Sequence, residues 1–167
     1  MIKIYTDGSC RSNGKENSNG GFGVVVFKDN KIIYYYKEQC EDTTNNREEL
    51  KAILHAFDLA QTKYKNETCI IYSDSSYCVN ICNNWIYSWA KNNWINSKKK
   101  QVENIDLVQS FYDYLTIDFF NCQVVKITSH IGITENELAD ALATNEIARF
   151  NRIVKDKGIK LDQSSKI

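Results

Sequence analysis

From residue 2 to residue 7 the chain reads Ile-Lys-Ile-Tyr-Thr-Asp, the apolar–polar alternation of a half-buried strand. A Gly-, Ser- and Asn-rich stretch, 8–21, reads as a turn. Residues 22–27 and 32–38 repeat the strand pattern, and Asp29-Asn30 between them signals a hairpin. Near Thr44 the period changes: Leu50, Ile53, Leu54, Phe57, Ala60 and Tyr64 recur at helical spacing. A short strand at 68–73 leads to Asp74 and a further helix. Ile105, Leu107, Val108, Phe111 and Leu115 mark another helix, and 122–128 reads as the last strand. Leu138, Ala141, Leu142 and Ile147 mark a closing helix, with Thr134-Glu135-Asn136-Glu137 as its capping box. Three strands, then helix, strand, helices, strand and helix predict an α/β fold: a mixed five-stranded sheet with helices packed on both faces. The core pattern fades from Arg149, so one domain is expected over 1–148 and a Lys-rich tail over 149–167.

Composition narrows the class. The chain has 167 residues, 43% hydrophobic and 25% charged, enough to bury one core. No apolar run reaches the ~18 residues of a membrane span, and the N-terminus carries no signal-like apolar region. The expectation is a monomer that is not secreted, in the cytoplasm or nucleus. Six scattered cysteines without a CxxC pair fit reduced thiols and argue against a zinc site. The formal net charge is zero, so any nucleic-acid contact must use local patches. Abundant Lys, Asn and Ile with no Pro read as codon bias of an AT-rich genome, so single lysines carry little information.

Four acids stand where chemistry gathers. Asp7 and Asp74 end strands, where loops leave an α/β sheet. Glu49 and Asp140 lie in the early turns of two helices. Around the first helix, Glu48 shares a face with Lys51, Ala52 and His55. That face is expected to be solvated, with Glu48 closing an Asn45-x-x-Glu48 capping box. Glu49 stacks instead with Ile53, Ala56 and Ala60 on the packed side. A carboxylate aimed at a sheet is costly without a partner. Converging carboxylates repel one another, and hard cations relieve this through oxygen ligation. Two such ions about 3.5–4 Å apart activate water and stabilise the leaving oxygen of a phosphodiester.

The motifs resemble the cellular type 1 ribonuclease H family. Thr6-Asp7-Gly8-Ser9 with Gly20-Gly21-Phe22-Gly23 is similar to its opening. Thr43 to Leu50, reading Thr-Thr-Asn-Asn-Arg-Glu-Glu-Leu, is similar to its second motif, and Ser73-Asp74-Ser75-Ser76-Tyr77 to its third. Ser129-His130-Ile131-Gly132 followed by Asn136-Glu137-Leu138-Ala139-Asp140 resembles the fourth. The resemblance spans residues 2 to about 148, in family order. It implies a ribonuclease H-like fold and cleavage of the RNA strand of an RNA–DNA hybrid, leaving a 3′-hydroxyl and a 5′-phosphate. It implies Asp7, Glu49, Asp74 and Asp140 as ligands of two Mg²⁺ ions, with Mn²⁺ as a substitute. It places His130 in a loop beside the metals, assisting proton transfer or product release. Three departures stand out. Extra residues lie between Asn13 and Gly20, Thr128-Ser129 replaces a Lys-Gly, and Ser76 stands where Gln is frequent.

A hybrid is told from either pure duplex by its 2′-hydroxyls, which suit small polar groups. Cys10, Asn13, Thr44, Asn45, Asn46 and Ser76 are the candidates. Residues 83–102 hold Trp85, Trp89 and Trp94 with Lys98-Lys99-Lys100 and no acid. Trp94 reads as a small satellite core. Trp85, Trp89 and the three lysines read as a channel for the DNA strand, with aromatics on sugars and ammonium groups near phosphates. This segment looks like the basic protrusion of bacterial and animal members of the family. The alternative reading is a related nuclease or recombinase acting on DNA, and the Asn-Asn-Arg motif and the protrusion count against it.

Overall fold

Strand alternation runs further than the sequence pattern predicts. In the computed structural model, which describes residues 1–13, 15–129 and 131–162, β1 spans Ile2–Arg11, β2 Asn19–Lys28 and β3 Lys31–Glu41. The stretch expected to be a turn therefore supplies the ends of two paired strands, Gly8 opposite Phe22 and Arg11 opposite Asn19. Asp29 and Asn30 both have positive φ, 50° and 60°, as a tight hairpin requires. Helix α1 (Asn45–Gln61) and β4 (Cys69–Ser73) follow. Next come α2 (Ser76–Asn80), a π-helical turn (Ile81–Trp85) and α3 (Ile86–Lys91). Helix α4 is Ile105–Leu115, β5 Cys122–Lys126, α5 Thr134–Ala143 and α6 Ile147–Asp156.

The sheet order is β5-β4-β1-β2-β3-β6. β1, β2 and β3 pair antiparallel, while β4 and β5 add parallel to β1. The sixth strand corrects the expected five. It is β6 (Lys160–Leu161), which pairs parallel with the start of β3. Two residues are too short to show a period, so only the pairing defines it. The expected tail from 149 is corrected too. Helix α6 buries Phe150 and packs Ile153 and Val154 against the sheet. Ile147, Phe150 and Val154 are helically spaced, a signal masked by the interleaved Arg149, Arg152 and Lys155.

Alternation along β1 and β2 sorts the core onto two faces. Ile2, Ile4, Val24 and Val26 lie under α1 and its neighbours. Tyr5, Val25 and Phe27 lie under α5 and α6. Helices thus cover both faces, and β2 is buried on each. At ~25 cal/mol per Å² of apolar surface, this double burial is the main stabilising term. No helix among the described residues is long and apolar enough to cross a membrane.

Candidate active site

Sheet register brings the first two acids together. Thr6 and Ser73 are the last paired residues of the parallel β1–β4 ladder. Asp7 and Asp74 follow them directly, on neighbouring strands spaced about 4.8 Å apart. Two glycines then admit a helix on each face. A β-carbon on Gly8 would fall on the backbone of Glu48 and Glu49, so α1 presses its first turns against β1 only because that residue is glycine. Gly23, the register partner of Asp7, does the same for α5. A β-carbon there would fall on Ala139 and Leu142, which flank Asp140. Glu49 arrives from one side and Asp140 from the other. Ligand oxygens of Asp7, Glu49 and Asp74 all lie within 4.8 Å of one another.

The resulting cleft, about 550 Å³, is lined by these four acids together with Gly8, Asn45, Asn46, Ser75, Asn136 and Arg149. Asp7 and Glu49 are buried and Asp74 and Asp140 half-buried. Burial, then repulsion from Glu49 and Asp74, drives the Asp7 carboxyl far above the usual carboxylate range. Burial and the charge of Asp74 raise Glu49 as well, against a lowering hydrogen bond with Asp7 and another from the Gly8 backbone. Glu49 Oε2 is buried with no hydrogen-bond partner. Crowded carboxylates with an orphaned oxygen, and only oxygen donors, fit a hard divalent cation.

The other expected site residues divide. Thr44 caps α1, its side chain accepting from the Arg47 N–H at 3.2 Å. Asn13 Oδ1 accepts from the Asn45 N–H at 3.0 Å. Asn13, Thr44, Asn45 and Asn46 line a second polar hollow with Asn104. Cys10 Sγ sits beside it, donating to the Thr43 carbonyl at 3.3 Å. Ser76 is exposed, and Ser75 lines the cleft in its place. Trp85 and Trp89 pack with ring centroids 5.8 Å apart and share a separate hollow with Lys98 and Lys100. Lys99 lies at the tip of that turn with φ 60°. Asn96 pins the turn by accepting from the N–H groups of Lys98 and Lys100. Trp94 packs edge-on to Tyr112. His130 lies outside the described residues.

Three local expectations are overturned. Glu48 is 0% exposed, not solvated. The long β2–β3 hairpin covers that face of α1, and Lys51 pairs with Glu48 at 2.9 Å. The cap is Thr44 and no Asn45–Glu48 box forms. His55 is likewise covered, stacked on Tyr36 at 4.4 Å and bonded to the Tyr34 hydroxyl. Helix α5 starts at Thr134 itself, behind Ile133, without a side-chain cap. Sequence reasoning missed Arg149 altogether. Its Nη1 donates to Asp140 Oδ2 at 2.6 Å from across the α5–α6 turn. A basic residue soon after an acidic motif was the one signal for it, but only the turn geometry places it.

The family model for RNase H matches residues 1–148. Ribonuclease H of Caldicellulosiruptor saccharolyticus is 38% identical over 149 residues, covering 87% of this chain and 95% of the relative. Ribonuclease H of Clostridium botulinum (strain Hall) is 37% identical over 155 residues, covering 90% and 97%. Among solved structures, a foamy viral protease–reverse transcriptase in complex with dsDNA superposes with a TM-score of 0.73. It is 26% identical and is covered to 92%, against 87% of this chain. LC9-RNase H1, 23% identical, shares the fold with a TM-score of 0.75 over 96% of this chain and 86% of its own. With the family model spanning most of the chain and two relatives above one-third identity across nearly their whole length, this chain belongs to the ribonuclease H family of enzymes.

Proposed function

We propose that this protein hydrolyses the RNA strand of RNA–DNA hybrids, with two divalent cations, Mg²⁺ or in its place Mn²⁺, held by Asp7, Glu49, Asp74 and Asp140. The observation that carries the reading is the convergence of Asp7, Glu49 and Asp74 within 4.8 Å, with Glu49 Oε2 buried and unpartnered. Cations held there would supply activation of the attacking water and stabilisation of the leaving oxygen, and the expected products are a 3′-hydroxyl and a 5′-phosphate. The chain's own residues align the scissile phosphate. Asn45 and Asn46 line both the acidic cleft and the neighbouring polar hollow, so they lie along the path of the RNA strand. With Asn13, Thr44 and Cys10 they offer short amide, hydroxyl and thiol groups suited to 2′-hydroxyls. His130 shuttles a proton or helps the product leave, both roles open to an imidazole. Among structural neighbours, LC11-RNase H1 has been solved with an RNA/DNA hybrid. We place the catalytic unit at residues 1–148 together with α6 and β6, which pack on it and complete its sheet, acting as a monomer in the cytoplasm or nucleus.

The test is cleavage of an end-labelled hybrid beside a matched DNA duplex, with and without EDTA. The hybrid's RNA strand is cut only when divalent cation is present, and the DNA duplex survives. Cutting of the DNA duplex at a similar rate would move the assignment to a DNA-directed nuclease.

The hollow bearing Trp85, Trp89, Lys98 and Lys100 holds the DNA strand in this reading. Changing Lys98, Lys99 and Lys100 together to Ala should weaken hybrid binding and flatten its salt dependence. Removing one ammonium–phosphate interaction takes about 0.9 from the log–log slope. Turnover at saturating hybrid should change little. Fluorescence anisotropy across a salt series measures the slope, and an unaltered slope would mean that the lysines only face solvent.

A further inference from the structure

Asp140 differs from the other three acids in having a cation of its own. The ligand oxygens of Asp7, Glu49 and Asp74 form the tight group, and Asp140 stands at its edge, in hydrogen-bond contact with Asp7. Its Oδ2 accepts from Arg149 Nη1 at 2.6 Å, a short charge-assisted bond. The two side chains are 32% and 28% exposed, so the pair is only partly screened. Arg149 is itself anchored, with Glu146 Oε2 at 4.0 Å. Helix α6 holds it in place through the buried Phe150 next in sequence. The guanidinium also lines the acidic cleft.

We infer that Arg149 is a built-in counter-ion that occupies Asp140 until a divalent cation displaces it, so that ion uptake at Asp140 is weaker than uptake at Asp7, Glu49 and Asp74. Two physical effects work together. The guanidinium takes a carboxylate lone pair that a metal would use, and its positive charge offsets the Asp140 charge that would draw the ion in. Without Arg149 the four acids would face one another with less compensation, so the same residue stabilises the metal-free fold. Arg149 is a positioning residue here: it acts on the ion through Asp140. The inference rests on the metal reading proposed above.

Calorimetric titration with Mg²⁺, and in parallel with Mn²⁺, separates the possibilities without substrate or turnover. Wild type, Arg149→Ala, Arg149→Lys, Asp140→Asn and the Asp140→Asn/Arg149→Ala double variant are compared. Arg149→Ala should bind the weaker ion about tenfold more tightly, a small part of the Coulomb energy between a guanidinium and a divalent ion at protein dielectric. Arg149→Lys should restore near wild-type affinity, and in the Asp140→Asn background the Arg149 change should have no effect. Metal-free Arg149→Ala should melt below wild type, with the gap closing at saturating Mg²⁺. Unchanged or weaker ion binding by Arg149→Ala, or an equal effect in the Asp140→Asn background, overturns the inference and leaves the metal reading standing. A wild-type protein that takes up neither ion overturns the metal reading, and this inference falls with it.

Discussion

Asp7→Asn should abolish metal-dependent cleavage of the hybrid while making the metal-free protein more stable. The two outcomes share one cause. Asp7 is buried where the β1–β4 ladder ends, and Glu49, Asp74 and Asp140 all push its carboxyl upward. Such a group costs free energy when ionised and has value only when a cation is bound. Asparagine keeps the shape, removes the charge and removes one anionic ligand. Each kcal/mol of repulsion relieved raises Tm by about 2–4 °C for a domain of this size.

The linkage to pH has a definite sign. Asp7 and Glu49 have folded-state values raised above the unfolded ones. The folded protein therefore holds protons that the unfolded chain has lost. Their contribution is complete below about pH 4, the unfolded carboxylate range, and is lost as pH rises toward the folded values. The metal-free wild type should lose stability through that window, Mg²⁺ should restore it, and Asp7→Asn should show a shallower decline. Melting curves from pH 4 to 9 with EDTA, beside a cleavage assay, check both halves. An active mutant, or a metal-free mutant that melts lower than wild type, would contradict the account.

Gly8→Ala should be nearly as damaging, although it leaves every acid in place. The added β-carbon would overlap the backbone of Glu48 and Glu49. Backbone atoms cannot swing aside as a side-chain tip can, so α1 must move off β1. Overpacking of this kind costs about 1–3 kcal/mol, occasionally more. Glu49 would move with its helix, and it would lose the hydrogen bond from the Gly8 backbone. A displacement near 1 Å at a reacting centre costs about 10²-fold in rate. The expected variant is folded, melts lower, binds Mg²⁺ more weakly and has lost about 10²-fold or more of its activity. Cleavage at near wild-type rate would show that α1 can retreat without carrying Glu49 with it.

The sequence by itself determined what depends on short-range period and on motif. Alternation placed β1 to β5, and helical spacing placed α1, α4 and α5, because each pattern is written within a single element. It also put Glu49 on the side of α1 that carries Ile53, Ala56 and Ala60, all fully buried, and that side brings it to Asp7 and Asp74. Tertiary structure decided whatever depends on a partner distant in sequence. Glu48 was misjudged because a helical wheel shows one packed side, and the hairpin that buries the second side lies in β2 and β3. Thr44 rather than Asn45 caps the helix because the chain turns one residue earlier than propensity alone requires. β6 exists only through its pairing with β3. Arg149 meets Asp140 because α6 folds back over α5 and is held there by Phe150. The acids could be named from the sequence, but their spacing could not. It follows from the Thr6–Ser73 register and from two glycines that let helices approach the sheet from opposite faces.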